Sequence, residues 1–120
     1  SNPLSLKSAI KNYDKIDSKT SKKYLLIGDM LELGSHSKKL HKSIAPIINQ
    51  TKIDKVFVKG KMASIIFESI SKAKKGRILL NKSQIIELIR KDLNNNDYLM
   101  IKASLATGFN DIVKDLKGLH

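Results

Sequence analysis

The chain has 120 residues, with 23 Lys and Arg against 11 Asp and Glu, a net charge of +12, and neither Cys nor Trp. That length suits one domain, which buries roughly two thirds of its unfolded surface and folds without staples. The lack of Cys excludes disulfides, thiolate metal sites and Cys nucleophiles, and no apolar run approaches the roughly 18–20 residues that span a bilayer.

Pro3 suits the first turn of a helix capped by Ser1 or Asn2, and Leu6, Ala9, Ile10 and Tyr13 share one face of it. A polar connector follows over residues 17–21. Residues 24–27 (Tyr-Leu-Leu-Ile) form a short, wholly apolar run ending at Gly28-Asp29, as a buried strand does where it opens into a loop. Ser37 begins a helix bearing Leu40, Ile44, Ile47 and Ile48, in which Pro46 predicts a kink or an early end. Residues 56–58 are a second buried strand, closed by Gly60. Met62, Ile65, Ile66 and Ile70 mark the next helical face, with its end expected near Gly76. Residues 78–80 read as a third strand. Ser83 is the expected cap of a helix reaching Leu93, with Ile85, Ile86 and Ile89 inward. An Asn94-Asn95-Asn96 turn leads to a fourth strand over 98–101, and Ile112, Val113 and Leu116 face inward on a last helix, with Gly118 as its stop.

A helix followed by four strand–helix units predicts an α/β fold: a Rossmann-like, mainly parallel sheet of at least four strands with helices on both faces. Right-handed crossovers place every strand C-terminus on one edge, and ligands of such sheets bind outside that edge near a switch in strand order. The loops over 28–34, 59–61, 81–83 and 102–108 are therefore the ones expected to work.

The charge invites a nucleic-acid reading, but the residues do not favour it. The cations are almost all Lys, scattered along the chain, and the bidentate base reader Arg occurs only as Arg77 and Arg90. The few aromatics form no stacking platform. A solvated basic surface is the expectation, with no nucleic acid and no membrane as partner. Neither G-x-x-x-x-G-K-[ST] nor G-x-G-x-x-G occurs, and Lys59-Gly60-Lys61 reads as an ordinary strand-end loop. His36 and His41 lie five apart rather than at the i, i+4 spacing of a metal pair, so they are expected to be exposed or satisfied on their helix.

The segment Gly28-Asp29-Met30-Leu31-Glu32-Leu33-Gly34 stands out, because a buried strand opens directly into a loop carrying two carboxylates between two glycines. Asp29 there suits either ribose hydroxyls, a magnesium-bound water or a ligand ammonium, or the structural role of a cap or turn carboxylate. Lys102 and Ser104 add a cation and a hydroxyl at the end of the last strand.

That segment, with Ser37, Leu40 and His41 after it, resembles the G-D-M-x-E-L-G loop and trailing L-H of the C-terminal domain of the Mur ligases. The opening Asn2-Pro3-Leu4-Ser5-Leu6-Lys7 resembles the end of the family's D-x-Y-N-x-N-P-x-S-M motif. Val56-Phe57-Val58-Lys59-Gly60 is similar to its next strand and turn, and Lys102-Ala103-Ser104 falls where the family carries K-G-S, with Ala103 in place of the glycine. The resemblance spans essentially the whole chain. Residues 105–110 depart from the small, polar residues usual there, and the D-x-Y-N half of the first motif is missing, which implies a first strand cut off before Asn2.

The resemblance implies a domain of a longer, three-domain, ATP-dependent ligase of cytoplasmic peptidoglycan precursor synthesis, most similar to the branch that adds D-alanyl-D-alanine to a UDP-N-acetylmuramoyl-tripeptide. ATP and Mg2+ would serve the whole enzyme, with the phosphate loop and the metal in its central domain and this domain closing over them. It would work with the N-terminal and central domains of the same enzyme and be inactive alone, with no catalytic or metal-ligating residue of its own. By transfer, Asn2 would lie near adenine or ribose, Asp29 and Glu32 on the nucleotide and amine side, and Lys102 and Ser104 by the incoming dipeptide. The rival readings are a receiver-like signalling module, which shares the alternating order but needs an acidic pair after its first strand, and a basic nucleic-acid-binding α/β module.

Overall fold

A computed structural model of the chain describes residues 3–30 and 37–103. Asn2, Glu32, His36, Ser104 and the expected last helix lie outside them. The strands β1 (Lys23–Gly28), β2 (Lys55–Lys59), β3 (Lys75–Ile78) and β4 (Tyr98–Lys102) form one sheet in the order β3-β2-β1-β4, every neighbouring pair parallel. The α/β reading with a parallel sheet holds. The helices are α1 (Pro3–Asp14), α2 (Ser37–Lys42), α3 (Ile44–Asn49), α4 (Lys61–Ser69) and α5 (Lys82–Glu87).

Strand alternation divides the apolar residues between two cores. Leu25 and Ile27 of β1 with Val56 and Val58 of β2 face Leu6, Ile10 and Tyr13 of α1, Ile44 and Ile48 of α3, and Ala63 and Ile66 of α4. The opposite face, with Tyr24, Leu26 and Phe57, is covered by Leu79, Ile85 and Leu88. β1 is buried along its whole length, which is why it reads as an unbroken apolar run. At the other end of the sheet, side chains of neighbouring loops clamp its start. Asp97 Oδ1 accepts from Lys22 N at 3.0 Å, and Asp54 Oδ2 accepts from Lys23 N at 2.8 Å. The Tyr13 hydroxyl donates to the Tyr24 carbonyl at 2.8 Å, tying α1 to β1.

Five expectations need correction. The helix beginning at Ser37 breaks at Ser43 rather than at Pro46, so that Pro46 falls in the first turn of α3. A proline tolerates that place, since its missing N–H is not needed in a first turn. The third strand is residues 75–78 rather than 78–80. Gly76 belongs to that strand instead of ending the preceding helix, which stops at Ser69 and is followed by a 3₁₀ turn over Lys72–Lys74. A Cβ on Gly76 would stand 2.6 Å from the Phe57 ring, so glycine is there for close passage of the backbone. The cap of α5 is Asn81 rather than Ser83: its side chain accepts from Gln84 N at 3.0 Å, while Gln84 Oε1 accepts from Leu80 N at 2.6 Å. Finally, the regular helix ends at Glu87 and widens into a π-helical turn over Leu88–Asp92, whose last residue pairs with Arg77 at 2.7 Å.

Candidate functional site

In this strand order β1 is followed on one side by β2 and β3 and on the other by β4, so the order reverses between β1 and β4. A crevice outside the carboxyl ends of those two strands is where open parallel sheets bind ligands. The residues that end them are Gly28-Asp29 and Lys102, the latter paired in register with Ile27. Thus Asp29 and Lys102, far apart in the chain, stand at the same edge on either side of the switch. Lys102 is half-buried, as is Asp29.

Asp29 is held by the start of α4. Its Oδ1 accepts from Ala63 N at 2.7 Å, so a carboxylate from the end of β1 caps α4. The residue at the cap position itself is Gly60, which has no side chain to offer. Gly60 adopts φ 116° and ψ 162°, a region open to glycine almost alone. A Cβ there would lie 2.5 Å from the Asp29 carboxylate carbon, so the carboxylate occupies the space that any other residue at 60 would fill. A negative charge at this place also complements the positive end of the helix dipole. Lys59 and Lys61 flank Gly60 in the chain.

The backbone beyond Asp29 is fixed by His41 of α2. Met30 N donates to His41 Nε2 at 3.4 Å, while the Met30 side chain enters the first core. His41 is fully buried, so it is not the exposed histidine that the expectation allowed, and its Nε2 is used outside its own helix. The spacing from His41 to Ile44, Ala45 and Ile48 is three, four and seven residues, which places it on the buried stripe. That periodicity was the available signal. The capping of α4 by Asp29 had no comparable signal, because the two segments are separated by more than thirty residues and only the register β1–β2 brings them together.

Among the described residues no group of three or more His, Asp or Glu side chains could hold a metal ion. Of the residues expected at the site, the structure brings Asp29 and Lys102 to one edge, and Asn2, Glu32 and Ser104 lie outside the described residues.

Residues 1–105 match the family described as "Mur ligase, glutamate ligase domain". The chain belongs to this family. Among curated relatives, this Mur ligase domain is 34% identical over 117 residues to the UDP-N-acetylmuramoyl-tripeptide–D-alanyl-D-alanine ligase of Bacillus subtilis, covering 95% of the chain and 25% of the relative. It is 31% identical over 118 residues to the enzyme of the same name from Buchnera aphidicola of Acyrthosiphon pisum, covering 97% and 25%. A crystal structure of MurF ligase from Thermotoga maritima in complex with ADP superposes with a TM-score of 0.76 at 22% identity, covering 95% of this chain and 25% of that one. The Mur ligase domain thus spans about a quarter of the length of the curated relatives it matches. The receiver-like and nucleic-acid-binding alternatives are not favoured by these likenesses. No helix among the described residues is long and apolar enough to cross a membrane.

Proposed function

We propose that this chain is the C-terminal domain of a three-domain cytoplasmic ligase that joins D-alanyl-D-alanine to a UDP-N-acetylmuramoyl-tripeptide at the expense of ATP. The observation that carries the reading is the 34% identity to a ligase of that activity across 95% of the chain, with the loop after β1 inside the matched region. The ADP bound by the Thermotoga ligase supports a nucleotide as the shared ligand.

In such a reaction ATP activates the tripeptide carboxylate as an acyl phosphate, and the amine of the dipeptide attacks the carbonyl carbon as phosphate leaves. The part of this domain is geometric. The central domain holds Mg2+ and the phosphate loop, and closure brings the β1–β4 edge over them. Asp29 and Glu32 then shape the nucleotide and amine side, Asn2 lies near adenine or ribose, and Lys102 with Ser104 receives the dipeptide, whose carboxylate a lysine complements. Holding the amine against the acyl phosphate in place of a random encounter is a proximity effect, realised only when the domains close. The N-terminal domain completes the enzyme.

A ligation assay tests the reading. The full polypeptide is expected to release phosphate from ATP only when both the UDP-linked tripeptide and D-alanyl-D-alanine are present, and residues 1–120 alone are expected to release none. A full polypeptide that is indifferent to the dipeptide would overturn the proposal.

A further inference from the structure

Lys23 and His41 are the buried polar or charged side chains among the described residues. Lys23 sits at the start of β1 and donates from Nζ to the Asp14 carbonyl at 2.8 Å, an anchor for α1 far from the working edge. His41 lies at the other end, directly behind the turn that carries Asp29. A buried imidazole is costly unless its nitrogens are used, and a buried backbone N–H is costly unless it has an acceptor. One contact meets the demand of the Met30 N–H and of one imidazole nitrogen, since Met30 N–H donates to Nε2. A nitrogen that accepts carries no proton, so the imidazole is neutral and protonated at Nδ1.

We propose that His41 is a positioning residue: as a neutral, Nδ1-protonated imidazole it fixes the backbone at Met30 and so holds the Asp29 carboxylate against the N-terminus of α4. The geometry gives it that leverage. Gly28 is bonded into the sheet on the N-terminal side of Asp29, paired in register with Lys59. Met30 is bonded to His41 on the other side, and the residue is only 5% exposed. With its backbone pinned at both ends, Asp29 has its carboxylate 2.7 Å from Ala63 N. Take away the acceptor at residue 41 and the Met30 N–H is left buried without a partner, which drives the turn toward water and draws Asp29 from its helix. A histidine that merely filled space would be replaced by leucine with no effect at Met30 or Ala63.

The test compares His41→Leu with His41→Gln, whose Oε1 reaches about as far as Nε2 and also accepts. In the 120-residue chain, the ¹⁵N spectrum of His41 is expected to show an unprotonated Nε2 and a protonated Nδ1. His41→Leu is expected to speed amide exchange at Met30 about tenfold, with Ala63 following, and His41→Gln to restore most of the protection. A proton found on Nε2, or unchanged exchange at Met30 and Ala63 in a folded His41→Leu chain, overturns the proposal. Should His41→Leu fail to fold, the spectrum of the natural chain and the exchange of His41→Gln decide the matter alone. For the enzyme, the consequence rests on the ligase reading, in which kcat falls for His41→Leu and recovers for His41→Gln. Exchange that behaves as expected with ligation unmoved would leave the positioning role standing and remove Asp29 from the ligase site.

Discussion

At Asp29, the cap reading of its sequence context holds, since the carboxylate caps α4, and it does so at the edge where ligands of this fold bind. The two roles separate by substitution. Asn caps a helix about as well as Asp, so Asp29→Asn is expected to stay within about 1 kcal/mol of the natural chain in urea unfolding, whereas Asp29→Ala loses the cap and about that much or more. In the proposed full-length ligase Asp29→Asn is nevertheless expected to lower ligation, because the charge is gone while the fold is kept. Unaltered kinetics for Asp29→Asn would confine Asp29 to capping. Gly60 is the companion position. Gly60→Ala places a methyl in the space of the Asp29 carboxylate and forces an L-residue to φ 116°, a cost of at least about 2 kcal/mol in the same unfolding experiment. A Gly60→Ala chain as stable as the natural one would show that the turn relaxes freely. The chemistry of the Asp29 loop was visible in the sequence as a buried run opening into Gly-Asp. Its partner was not, because a cap supplied across a strand register leaves no local pattern.

The elements were legible where periodicity was strong and illegible where one residue set the boundary. β1, α1 and β4 announce themselves through unbroken apolar runs or a single clear face. Around β3 the sequence misleads, since the apolar residues 78–80 invite a strand, yet Ile78 and Leu80 are exposed and only Leu79 is buried. The strand forms one turn earlier, at the place where Gly76 lets the backbone pass the Phe57 ring. Gly76→Ala is therefore expected to cost about 1–3 kcal/mol through overpacking, measured by thermal or urea unfolding, and Phe57→Leu in the same chain to recover part of it. If Gly76→Ala is neutral, close passage is not what glycine provides. The α1–β1 contact has its own pH signature. Burial, followed by the nearby Asp54 charge, pushes the Tyr13 hydroxyl from 10.0 up to about 12. A raised pKa means that the folded chain favours the neutral phenol, so the stability it adds is fully present below pH 10 and is lost as pH rises toward about 12. The difference in unfolding free energy between the natural chain and Tyr13→Phe should shrink over that interval, and a difference independent of pH would contradict the assignment.

For the whole molecule, the order β3-β2-β1-β4 explains why residues so distant in sequence as Asp29 and Lys102 reach one edge. Alternation of strands and helices made the parallel sheet predictable, but not which strand lies beside β1, and the switch point depends on that neighbour. The resemblance in the loop after β1 points to the same edge independently of the topology. The central claim is that this edge closes over a nucleotide bound by another domain of the same polypeptide. The coding frame upstream of Ser1 tests it most directly. The account predicts a continuous frame of roughly two further domains that includes a phosphate loop ending in G-K-[ST]. An in-frame stop codon just upstream of Ser1, with an initiation codon between the two, would contradict it.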